Sequence, residues 1–176
     1  MRLALTVAIC TLPVMALAVG SDDDTPPQPT DTTKNCTDGQ VWDTSTQSCV
    51  NPDKSTNADT QMKKDARALA YAGRYDDAAK VLDVLDAGDP WVMTYRGFLA
   101  RKTGDDLGAY RYYTAALEAD PNHLMARSYM GQGFAEAGDL KAARAQLTEI
   151  RARGGRGTWP ELALRLAIDS GQGTTY

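Results

Sequence analysis

Three glycines constrain this chain more than any other feature. Gly73, Gly104 and Gly138 recur at intervals of 31 and 34 residues, and the segments around them align. They read AYAGRYDDAAKVLDVLDAGDP from Ala70, ARKTGDDLGAYRYYTAALEADP from Ala100 and AEAGDLKAARAQLTEI from Ala135. From Ala58 onward the apolar residues fall at i, i+3, i+4 and i+7, the helical period, with no strand-like alternation. Self-similarity at this period belongs to helix pairs stacked as an array. The glycine supplies the left-handed turn that ends the first helix of each pair. Small residues at Ala78, Ala109 and Ala143 let the two helices approach closely, and Leu82, Tyr113 and Leu147 fill the groove beside them. Ala66, Gly97 and Gly131 are the matching small positions of the first helices. Pro90 and Pro121, each after an Asp, are expected to stop the second helix of units one and two.

In register, these positions resemble the tetratricopeptide repeat family over some ninety residues. The resemblance implies an all-α fold, a right-handed superhelical array of about three helix pairs with a C-terminal capping helix. The units fall at about 58–90, 91–121 and 122–153, the cap at 158–170, and residues 171–176 form a frayed tail. Thr158 is expected to N-cap the last helix in a capping box with Glu161, and Leu162, Ala163 and Leu166 to cover the open end of the stack. In this family the first helix of each unit lines a concave surface. That places Lys63 and Arg67, with Lys64, from unit one, Thr94, Tyr95, Phe98, Arg101 and Lys102 from unit two, and Ser128 and Gln132 from unit three in a partner groove. Cationic and aromatic side chains there suit an extended acidic peptide; the competing reading is a solvated charged face.

The chain ahead of the repeats divides in two. MRLALTVAICTLPVMALAVG has a basic start, a short apolar stretch and the small-x-small site Ala16-Leu17-Ala18, the pattern of a signal peptide over residues 1–18. Cleavage there removes Cys10 and leaves no membrane span. Residues 19–57 read as an acidic, disordered Pro/Thr/Asp-rich tether: eight Asp against Lys34 and Lys54, with almost no apolar residues. Within it, CTDGQVWDTSTQSCV carries Cys36 and Cys49, the only thiols left after cleavage. An even pair in an exported chain is expected to form a disulfide clamping a short hairpin. This fragment also resembles part of the small Cys-Gly-aromatic-Cys hairpins of chitin-binding modules. Trp42 is therefore either a stacking platform for a sugar or a cover for the disulfide.

Charge and side-chain inventory exclude several functions. The chain of 176 residues has a pI near 5.0, unsuited to nucleic-acid binding. The acidity resides in the tether, since residues 60–176 hold 16 basic and 15 acidic side chains. One histidine, His123, sits at a helix start, and no nucleophile-base pair, metal-ligand cluster or phosphate-binding glycine loop is present. The expectation is an exported, most simply periplasmic, non-enzymatic adaptor without cofactor or metal, holding a protein or peptide partner, with cell-wall or carbohydrate binding through Trp42 as the alternative. The oligomeric state is left open.

Overall fold

The structure, a computed structural model, describes residues 24–173. The expected signal peptide, with Cys10, and the last three residues of the tail lie outside them. Eight α-helices and one hairpin follow in order: α1 (Asp31–Asn35), β1 (Val41–Asp43), β2 (Ser48–Val50), α2 (Asp59–Tyr71), α3 (Tyr75–Leu82), α4 (Pro90–Lys102), α5 (Asp106–Ala119), α6 (Leu124–Glu136), α7 (Leu140–Ala152) and α8 (Trp159–Ser170). A short 3-10 turn, Pro52–Lys54, follows the hairpin. Helices α2 with α3, α4 with α5, and α6 with α7 pack as neighbours across tight turns, and α8 packs on both α6 and α7. The fold is mostly helical.

The repeat glycines make the turns. Each has a positive φ, +75° at Gly73, +90° at Gly104 and +80° at Gly138. At each, the glycine and the residue after it donate their amides back to the last turn: Gly104 N to Arg101 O and Asp105 N to Ala100 O, at 3.1 and 2.8 Å. Asp105 and Asp139 then serve as N-caps of the next helix, accepting from Gly108 N and Ala142 N. One dipeptide thus satisfies the orphan carbonyls of one helix and an orphan amide of the next. No atom lies within 4 Å of a Cβ built on Gly138, so the only penalty of a side chain there is backbone conformation. Gly138→Ala is expected to cost about 1 kcal/mol in urea unfolding.

Pro90 and Pro121 do different jobs, which explains the unequal repeat intervals. Pro121 follows the C-cap Asp120 of α5 and stands in the turn before α6, as expected of a stop. Pro90 stops nothing: α3 ends at Leu82, and Pro90 opens α4 behind the N-cap Asp89, whose carboxylate accepts from Trp91 N at 2.8 Å. Proline is tolerated there because the first helical amide has no intrahelical partner. Helix α4 starts at its proline, whereas α6 starts three residues after its own.

The core is an aromatic stack across the helix pairs. Tyr95, Phe98, Tyr113 and Tyr129 are all buried. Tyr129 lies 4.9 Å from Phe98, 5.8 Å from Tyr95 and 6.4 Å from Tyr113 between ring centres. Gly97 admits Tyr113, whose ring would come within 2.6 Å of any Cβ there, and Gly131 does the same for Leu164 at 2.7 Å. Ala78, Ala109 and Ala143 are buried at the helix contacts, as are Leu82 and Leu147.

The expectation of a disordered tether is corrected between residues 24 and 57. Val41 is fully buried in the main core, with Val50 packed against it. Helix α1 docks on α2, with Thr32 buried and accepting from Trp42 N at 2.8 Å. Asp43 accepts from the amides and hydroxyls of Ser45, Thr46 and Thr56 and from the Ser55 hydroxyl, so one carboxylate joins the hairpin turn to the chain leading into α2. Cys36 and Cys49 form the expected disulfide. Low apolar content predicted a linker; order here comes instead from polar side chains bonding nearby backbone and from one covalent closure.

Two features of the C-terminal end are also corrected. Thr158 is the N-cap residue, but its hydroxyl donates to Gly155 O, and Glu161 accepts from Gly157 N, so no capping box closes. Ala163, Leu164 and Ala167 face the core, whereas Leu162 and Leu166 are 45% and 47% exposed. Residues 171–173 are held rather than frayed: Gly173 is buried and its amide donates to Glu136 Oε1 at 2.8 Å.

Candidate functional site

Helices α2, α4 and α6 lie side by side, and the residues expected to form a partner groove sit on them. Seven are buried: Arg67, Thr94, Tyr95, Phe98, Arg101, Ser128 and Gln132. Each has an inward role. Thr94 bonds back to Pro90 O, and Ser128 donates to Pro160 O of α8 at 2.8 Å. Gln132 donates to Ser128 and accepts from Arg101. Arg67 donates to the carbonyl of Thr25, so the segment ahead of α1 lies over α2. The hydroxyls of Tyr71, Tyr129 and Tyr95 form a chain at 2.7 and 3.3 Å, and burial raises the pKa of Tyr71 and Tyr129. The row expected to face a peptide is, for these seven, part of the protein's own packing.

The cations of this face are spent internally. Arg101, its side chain only 2% exposed, pairs with Glu136 at 2.6 Å. Lys102 lies near the same carboxylate, half-buried, with its pKa lowered by burial and by Arg101. Lys63 pairs with Asp89 and stands over the Trp91 ring. An unpaired buried cation would be far costlier than a paired one, so burial and pairing go together here.

An unspent set of charges lies elsewhere, on a face the repeat pattern did not single out. A cleft of about 440 Å³ between α7 and α8 is lined by Arg144, Thr148 and Arg151 from α7, by Arg165 and Asp169 from α8, and by Leu147 and Ile168 between them. Residues 144, 148 and 151 share one helical face, a spacing readable from sequence. Arg151 is fixed by Glu161 at 2.6 Å, and that carboxylate is held below its usual range by the Gly157 amide and Arg151. Arg144 and Arg165 are exposed and form no ion pair among the described residues.

The remaining candidates have structural places. His123 is the N-cap of α6, its Nδ1 accepting from Ala126 N at 3.4 Å. Trp42 is half-buried, its backbone tied to Thr32 and Asn57, and it stands directly opposite Cys49 in the hairpin register. Cross-strand partners share a face of the hairpin, which sets the indole beside the disulfide. Among the described residues no cluster of His, Cys, Asp or Glu is arranged to hold a metal ion, and no helix is long and apolar enough to cross a membrane.

Comparisons with protein-family models, with curated proteins and with solved structures found no significant match to this chain. Its function therefore rests on its own geometry.

Proposed function

We propose that this chain is an exported, non-enzymatic interaction module of tetratricopeptide type that holds an acidic segment of a partner protein. The observation that carries the reading is the α7–α8 cleft, where the exposed Arg144 and Arg165 flank an apolar floor of Leu147 and Ile168. Stacked helix pairs present extended surfaces rather than reaction centres, and the turn glycines at Gly73, Gly104 and Gly138 support that architecture. Export to an oxidising compartment such as the periplasm is supported by the leader-like residues 1–18 and is compatible with the Cys36–Cys49 disulfide. The partner reading moves from the α2, α4 and α6 face to the cleft because free guanidinium groups, unlike ion-paired ones, can exchange water for a carboxylate without first breaking a bond.

Exposed ion pairs are individually weak and screened by salt. A labelled Asp/Glu-rich peptide is accordingly expected to bind in fluorescence anisotropy, more tightly at low salt than at high salt. The double variant Arg144→Glu, Arg165→Glu should weaken it by about tenfold. A control pair, Lys80→Glu with Lys54→Glu, should leave binding unchanged. Equal binding of the Asn/Gln version of the peptide, or no loss in the double variant, overturns the reading.

A further inference from the structure

A second cavity, of about 210 Å³, opens between α4, α5 and α6 and is independent of the arginine cleft. Its walls are apolar: Ala109 from α5, Met130 and Phe134 from α6, and the Tyr110 ring beside Phe134 at 6.1 Å. Two polar groups also line it, the Arg101 guanidinium and the Tyr113 hydroxyl, both on side chains almost wholly buried. Arg101 uses Nη1 on Glu136 and Nη2 on Gln132. Its Nε and the Tyr113 Oη stand near each other, yet neither has a hydrogen-bond partner.

Buried polar atoms are almost always satisfied, so two orphans lining one cavity require an explanation. Burial pushes the Tyr113 pKa up to about 12, so at neutral pH its hydroxyl is protonated and able to donate. Both orphans therefore offer a hydrogen to an incoming acceptor. The charge balance limits which acceptor fits. The guanidinium is already neutralised by Glu136, and Asp106 also lines the cavity, so an anionic ligand would face two carboxylates with no free cation. The size limits it further: the space is smaller than the roughly 300–1,000 Å³ of pockets for drug-sized ligands and suits one ring.

We propose that this cavity binds a small, uncharged, single-ring molecule bearing a hydroxyl, of the phenol class. Its ring lies against Met130, Phe134 and Tyr110, and its oxygen accepts from Arg101 Nε and bonds the Tyr113 hydroxyl.

The test uses amide-resolved NMR titration of the folded, oxidised protein with p-cresol, toluene and benzoate. p-Cresol should shift the amides of Ala109, Gly133 and Phe134 in a saturable way, toluene should bind about fivefold more weakly, and benzoate should not bind. Tyr113→Phe keeps the ring that packs on Gly97 and removes the hydroxyl; p-cresol affinity should fall by about fivefold, to that of toluene. Ala137, exposed where it lines the cavity, offers a second variant that leaves the core untouched. Ala137→Trp should abolish the shifts with the far-UV spectrum unchanged. Equal affinity for toluene and p-cresol, tighter binding of benzoate, shifts mapping elsewhere, or no shift with any of the three would overturn the proposal.

Discussion

Tyr129→Ala is expected to lower the free energy of unfolding by about 3–5 kcal/mol, measured by urea titration of the helical signal. Tyr129 is fully buried, and its ring is shared by the three buried rings of α4 and α5, Tyr95, Phe98 and Tyr113. Its hydroxyl bonds those of Tyr71 and Tyr95, so the side chain links α2, α4 and α6. Removing it opens a cavity at the point where three helices meet, and an array stabilised by nearest-neighbour contacts cannot redistribute that loss to distant pairs. Tyr129→Phe retains the ring and deletes only the middle of the hydroxyl chain. Its cost should be about 1 kcal/mol. If alanine and phenylalanine cost the same, the ring is not what joins the helices.

Opening the disulfide should have the second largest effect, and a local one. The bond between Cys36 and Cys49 closes a separation of 13 residues, a loop whose constraint is typically worth about 3 kcal/mol. Cys36→Ala with Cys49→Ala should expose residues 24–57 to hydrogen exchange while α4 to α7 stay protected. Uniform loss of protection across all helices would show instead that the hairpin is integral to the whole core. Asp43 is the second hold on this segment. The amides of Thr56 and Thr46, with the Ser45 hydroxyl, keep its pKa well below the usual carboxylate range. For a carboxylate depressed in the folded state, the stabilisation is complete above the unfolded pKa of about 3.9 and is lost progressively as pH falls below it. The hairpin of the disulfide-free variant should therefore weaken further in acid below that point and recover on neutralisation.

Much of the helical region is legible in the sequence because its signals are local. Gly104 and Asp105 form a turn whatever lies across the fold, since positive φ and N-capping depend on residues within a few positions. Pro90 is ambiguous for a related reason: Asp-Pro is equally suited to end one helix or to begin the next, and only the early end of α3 at Leu82 distinguishes them. Residues 24–57 are not legible, because apolar content measures only one source of order. One valine in a distant core, one carboxylate satisfied from both sides and one disulfide hold that segment. None of these appears in a composition.

The candidate site separates the two kinds of information most sharply. Sequence alone determined which positions are helical, where the turns fall and which small residues stand at helix contacts, because these follow from period and backbone conformation. It also supplied every cation of both faces. Which of them are free was decided by the tertiary structure alone. Arg101 and Arg144 are indistinguishable as letters, yet one is sealed against Glu136 and the other faces an open cleft. A charge is available to a partner only when nothing within a few ångströms already neutralises it, and that neighbourhood is assembled by packing between helices far apart in the chain.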